Sequence, residues 1–87
     1  MAQTLRVEVT EEDIKAGERG NPEYCPIAHA LCRAELMDTP WVDSDSIEDQ
    51  NGDKWDLPAK ARAWIQKADR GELVHPMIFT ARRSAAG

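Results

Sequence analysis

The chain has 87 residues, 41% hydrophobic and 31% charged, with three tryptophans and a formal net charge of −5. That length excludes a second domain, with about 60–65% of the unfolded surface to be buried, and the apolar and aromatic content excludes an intrinsically disordered chain. No stretch approaches the ~20 apolar residues of a membrane span, and MAQTLRVEVTEED has no basic region followed by an apolar run, so a soluble cytoplasmic protein is expected.

Residues 4–9, TLRVEV, alternate Leu5, Val7 and Val9 with Thr4, Arg6 and Glu8, the period-2 pattern of a half-buried strand. Thr10 is placed to cap a short helix over about 11–16, with Asp13 at its third position and Glu11 and Glu12 at the positive end of its dipole. Gly17 is the expected stop. After the turn-rich connector ERGNPEY, Pro26 occupies the first position of a second helix, PIAHALCRAEL, whose core stripe is Ile27, Ala30, Leu31 and Ala34. Asp38-Thr39-Pro40 is expected to end it, because the residue before a proline is pushed out of the α region.

WVDSDSI and DKWDL read as two strands joined around Asn51-Gly52. A two-residue loop would set Glu48 opposite Trp55 and mix polar with apolar groups on each face. A three-residue loop, Gln50-Asn51-Gly52 with Gly52 left-handed, pairs Ile47 with Trp55 and Glu48 with Lys54, and is the expected register. LPAKARAWIQKADRG is a third helix with Leu57, Ala61, Trp64, Ile65 and Ala68 inward and Gly71 as its stop. ELVHPMIFTA is β-rich, and Pro76 within it points to an edge position or a bulge. The order β-α-α-β-β-α-β describes an α+β fold: a mainly antiparallel sheet of about four strands with helices packed on one face. Residues 1–80 form the domain and 81–87 a flexible tail.

Between Asp38 and Asp56 lie seven acids and Lys54, a local charge of −6, so the remaining 68 residues sum to +1. Such a field opposes nucleic acid and favours a basic partner surface. A calcium loop does not fit: the frame starting at Asp49 puts Lys54 at position 6 and Lys60 at position 12, and the frame from Asp43 puts Ile47 at position 5 and Glu48 at position 6. Acid-base catalysis needs burial to separate carboxylate pKa values, and a run rich in Ser, Gln and Asn suits a solvated hairpin face. Trp41, beside the acids, is the tryptophan placed to be an exposed interface anchor.

Cys25, His29 and Cys32 fall at i, i+4 and i+7 of the second helix, near the border of its apolar stripe. On one helix the two cysteines would lie roughly 10 Å apart, too far for a disulfide. Zinc would need a fourth ligand, His75 is the only other histidine, and packing is the simpler use of free cysteines. Cys25 also stands at a helix start, where a thiol can become nucleophilic, but Tyr24 brings no positive charge and Glu23 acts against a thiolate.

The stretches VTEEDIKAG, CPIAHAL, Leu57-Pro58 and ADRGELVHP, spread over residues 9–76, resemble a group of small proteins of phages and other mobile elements. The resemblance implies a phage or prophage origin; its motifs are short and structural, and no catalytic residue carries over. Small acidic single-domain phage proteins are often inhibitors of host defence, anti-CRISPR proteins among them, an analogy of context rather than of site chemistry.

The expectation is therefore a non-enzymatic protein, without cofactor or metal, that docks an acidic surface on a basic nucleic-acid-binding site of a host protein or nucleoprotein complex. Asp43, Asp45, Glu48, Asp49, Asp53 and Asp56 would supply the charge, with Trp41 as anchor. No direct nucleic-acid or membrane contact is expected. The alternatives are a structural or regulatory homodimer paired through a sheet edge, and a small zinc- or thiol-dependent protein.

Overall fold

The computed structural model describes residues 3–18 and 20–84. In chain order these form β1 (Thr4–Val9), α1 (Glu11–Ala16), α2 (Pro26–Arg33), β2 (Trp41–Val42), β3 (Ser46–Glu48), β4 (Lys54–Asp56), α3 (Ala59–Asp69) and β5 (Met77–Arg83). The strands make one antiparallel sheet in the order β1-β5-β4-β3-β2. Val7, Val9, Phe79, Ala81, Ile47 and Val42 join Ile27, Leu31, Ala61 and Ile65 in a single buried core. The opposite sheet face, with Thr4, Arg6, Glu8, Thr80 and Arg82, is exposed, as the alternation in TLRVEV requires.

The fold class is the expected one, with a fifth strand because WVDSDSI folds back on itself. Asp43 N–H donates to Ser46 O at 2.8 Å, and Trp41 and Val42 pair with Glu48 and Ile47. Asp and Ser favour turns because their side chains compete for backbone groups, so the run splits into β2 and β3. The next hairpin has the three-residue loop: Ile47 pairs with Trp55 and Glu48 with Lys54, and Gly52 has φ +83°.

β5 corrects two expectations. It lies inside the sheet, between β1 and β4, and Pro76 is no edge signal because it stands just before the first strand residue, where no ladder N–H is missing. The strand also runs through Arg83 into the expected tail: Ala81 is fully buried opposite Leu5, and Arg83 N–H donates to Gln3 O at 2.9 Å. Residues 85–87 of that tail lie outside the described residues.

α1 begins with the capping box: Thr10 Oγ1 accepts from Asp13 N–H, and Asp13 Oδ2 accepts from Thr10 N–H. α2 has Pro26 at its start and Cys25 as N-cap, with Sγ accepting from Ala28 N–H at 3.4 Å. It ends three residues before the expected limit, and not at Asp38-Thr39-Pro40. Glu35 takes φ +57°, Leu36 N–H reaches back to Leu31 O and Glu35 N–H to Cys32 O, a Schellman closure with a glutamate where glycine is usual. Glu35→Gly should therefore raise stability by about 0.5–1 kcal/mol, read as an increase of a few degrees in the thermal midpoint. Gly71, at φ +77°, closes α3 in the same way through Glu72 N–H to Lys67 O.

Candidate functional site

The acids of residues 43–56 divide into two groups at opposite ends of β3. Asp43 and Asp45 flank the β2–β3 turn; Asp49 and Asp53 belong to the β3–β4 loop. Between them, Glu48 and Asp56 stand opposite Lys54 and Ser46 across β3–β4, and Asp56 also faces Arg82 across β4–β5. The segment is acidic as a whole, but cations are interleaved with its acids on the sheet face.

Several of these carboxylates have internal partners. Asp49 accepts Asn51 N–H at 2.9 Å and Asp53 N–H at 3.0 Å on Oδ1, and the Trp55 indole N–H at 3.1 Å on Oδ2. Desolvation alone would raise its pKa, but these donors and the nearby Arg83 charge hold it below the usual carboxylate value. Asp49 thus organises the hairpin loop. Asp53 pairs with Arg83 at 2.9 Å, and Asp43 accepts the Trp41 indole N–H at 3.1 Å. Among the described residues, the side chains of Asp45, Glu48 and Asp56 hold no hydrogen bond or ion pair.

The three soft residues of α2 are used separately. Cys25 is mostly enclosed, and burial pushes its thiol pKa up despite the Ala28 and Ile27 N–H groups, which disfavours the thiolate a nucleophile needs. Cys32 is exposed, and its Sγ lies 3.7 Å from Asp38 O; desolvation and the Asp38 charge raise its pKa too. Among the described residues no group of three or more His, Cys, Asp or Glu is arranged to hold a metal.

His29 points to a cluster that the sequence did not reveal. Its Nδ1 lies 2.6 Å from Oδ1 of Asp13, the one charged residue that is buried among the described residues. Arg33 closes the cluster with a fork: Nε donates to Oδ1 and Nη2 to Oδ2, both at 3.0 Å, and Nη2 also donates to Glu8 O at 3.1 Å. With the Thr10 N–H and hydroxyl, the Asp13 carboxylate holds five hydrogen bonds. Burial by itself raises its pKa; Arg33, the Thr10 N–H, His29 and the Thr10 hydroxyl outweigh it and hold the carboxyl well below the usual range. An ionised carboxylate only accepts, so the His29 proton sits on Nδ1.

Beside this cluster, α2, the turn before it and the segment leading into β2 enclose a cleft of about 570 Å³, in which His29 and Cys32 meet Glu23, Tyr24, Asp38 and Trp41. Trp41 is 41% exposed and Tyr24 is 63% exposed. Trp41 is therefore accessible, as the sequence suggested. Tyr24, Glu23 and Asp38 were not among the expected partner residues, because Tyr24 and Asp38 are 14 positions apart and only the return of the chain into β2 brings them to one cleft.

Among the described residues no helix is long and apolar enough to cross a membrane. No protein-family model, curated protein or solved structure matches the chain.

Proposed function

We propose that this is a non-enzymatic binding protein of the phage type, acting in the cytoplasm of a bacterial host. It would dock its acidic β2–β4 surface on the basic nucleic-acid-binding site of a host defence complex, in the manner of an anti-CRISPR-type inhibitor. The supporting observation is that Glu48 and Asp56, on a hairpin whose loop is fixed by Asp49, and Asp45, in the turn that enters it, have side chains without hydrogen-bonded partners among the described residues. Glu48 and Asp56, held on paired strands, lose little backbone freedom on binding, and a local charge of −6 steers a basic surface toward the three acids. Channels that guide nucleic acid are lined with lysine and arginine, the complement this surface needs.

The triple variant Asp45→Asn/Glu48→Gln/Asp56→Asn leaves Asp43, Asp49 and Asp53 to their internal bonds, so its circular dichroism should match wild type. In pull-downs from host lysate at low and high salt, wild type should retain a salt-released nucleoprotein complex and the triple variant should lose it. Equal capture by both proteins would make the surface a bystander. The second reading, self-association, is favoured by the position of the six-residue β1 at the sheet edge; sedimentation at micromolar concentration distinguishes it.

A further inference from the structure

We infer that the cleft between α2 and the segment entering β2 receives an arginine side chain carried on an exposed segment of the partner protein. Five observations converge on this occupant. Among the described residues the cleft lining includes Glu23 and Asp38 and no lysine or arginine. Neither of those carboxylates holds an ion pair or side-chain hydrogen bond among the described residues. Trp41 and Tyr24 are large aromatic side chains left open to solvent on the same lining. The Trp41 ring is oriented in advance by its bond to Asp43. The volume of about 570 Å³ lies within the ~300–1,000 Å³ of ordinary ligand sites, enough for one long side chain and part of its backbone.

Arginine suits this lining better than lysine. Its guanidinium is planar, weakly hydrated and able to stack on an aromatic face while its N–H groups reach carboxylates in the same plane. The imidazole does not compete for these acids through Nδ1, because that nitrogen is held by Asp13. The site rests on the basic partner proposed above. Trp41, the first residue of β2, borders both, but the acids are different, Glu23 and Asp38 here against Asp45, Glu48 and Asp56 there, so the two can fail independently.

The test uses a Gly-Arg repeat hexapeptide and the same peptide with citrulline, which keeps the shape and removes the charge. Binding is followed on the full-length protein by two-dimensional NMR, from the three indole N–H signals, the Trp41 signal being identified by its loss in Trp41→Phe. In variants without that indole it is followed from the backbone amide signals of Cys32 and Asp38. The arginine peptide should shift the Trp41 signal saturably, and the citrulline peptide should not. Trp41→Ala and Asp38→Asn should each weaken binding by about tenfold, while the Asp45/Glu48/Asp56 variant should bind almost as wild type. Tyr24→Ala, at the more exposed position, serves if Trp41→Ala disturbs the fold. Binding that survives both aromatic substitutions but is lost in the Asp45/Glu48/Asp56 variant would overturn the cleft and leave the hairpin surface standing. No saturable shift at millimolar peptide would overturn the cleft as well, with the pull-down still deciding the surface.

Discussion

Asp13→Ala should destabilise the protein by about 3 kcal/mol, the lower end of what breaking a buried ion pair costs. The substitution removes a fully enclosed carboxylate, the acceptor of the Arg33 fork and the reciprocal half of the Thr10 capping box. The lower end applies because Arg33 and His29 both reach solvent and can be partly rehydrated when the acid is gone. In a domain of this size the loss corresponds to roughly 12–24 °C in the thermal midpoint, measurable by circular dichroism. Asp13→Asn keeps the shape and one acceptor, and should fall between the two proteins.

The same residue sets an acid limb of stability. The Asp13 carboxyl titrates lower in the folded chain than in the unfolded one, so the unfolded state binds the proton more readily. Its contribution is fully present above the ordinary aspartate value of ~3.9 and is lost as pH falls from there through the depressed folded value. Urea midpoints measured from pH 6 to pH 2 should decline more steeply for wild type below about pH 4 than for Asp13→Asn. Parallel profiles would show that the cluster contributes no pH-dependent stability.

Gly17→Ala is the second large effect, about 3 kcal/mol of destabilisation, near the top of the range for overpacking. The reason is not backbone conformation, since Gly17 has φ −76° and ψ 150°, which any residue adopts. A Cβ there would lie 2.4 Å from Pro26 N and 2.6 Å from Pro26 Cα. These are backbone atoms at the start of α2, so relief requires moving a helix rather than turning a side chain. The same α1–α2 junction holds Asp13 against His29 and Arg33. Gly17→Ala should therefore weaken that cluster as well, and combined with Asp13→Ala it should lose less than the sum of the two single effects. Additive losses would separate the two features.

Much of the framework was legible because it is local. The alternation in TLRVEV, the Thr10–Asp13 box, Pro26 at a helix start and the inward stripe of α3 depend on residues within a few positions of one another. The hairpin register followed from the same logic: only the three-residue loop kept Ile47 and Trp55 on one face. Where the reading failed, competing local chemistry or distance was responsible. The Asp-Ser run turned a single expected strand into two, and Glu35 closed α2 ahead of the proline.

The acidic stretch shows the boundary most clearly. Sequence alone determined that it carries the charge of the protein, has no calcium-loop spacing and forms a bulged hairpin, since these depend on residue identity and short spacing. Tertiary structure decided which acids are occupied: Asp53 meets Arg83 thirty residues on, and Asp49 is consumed by its own loop and Trp55. It also decided that Asp13, Arg33 and His29 form one cluster and that Tyr24, Asp38 and Trp41 face one cleft. Hydrogen bonds and charge act over a few ångströms in space regardless of separation along the chain. A local pattern can therefore specify an element and its faces, while the partners of each polar group are fixed only when the elements pack.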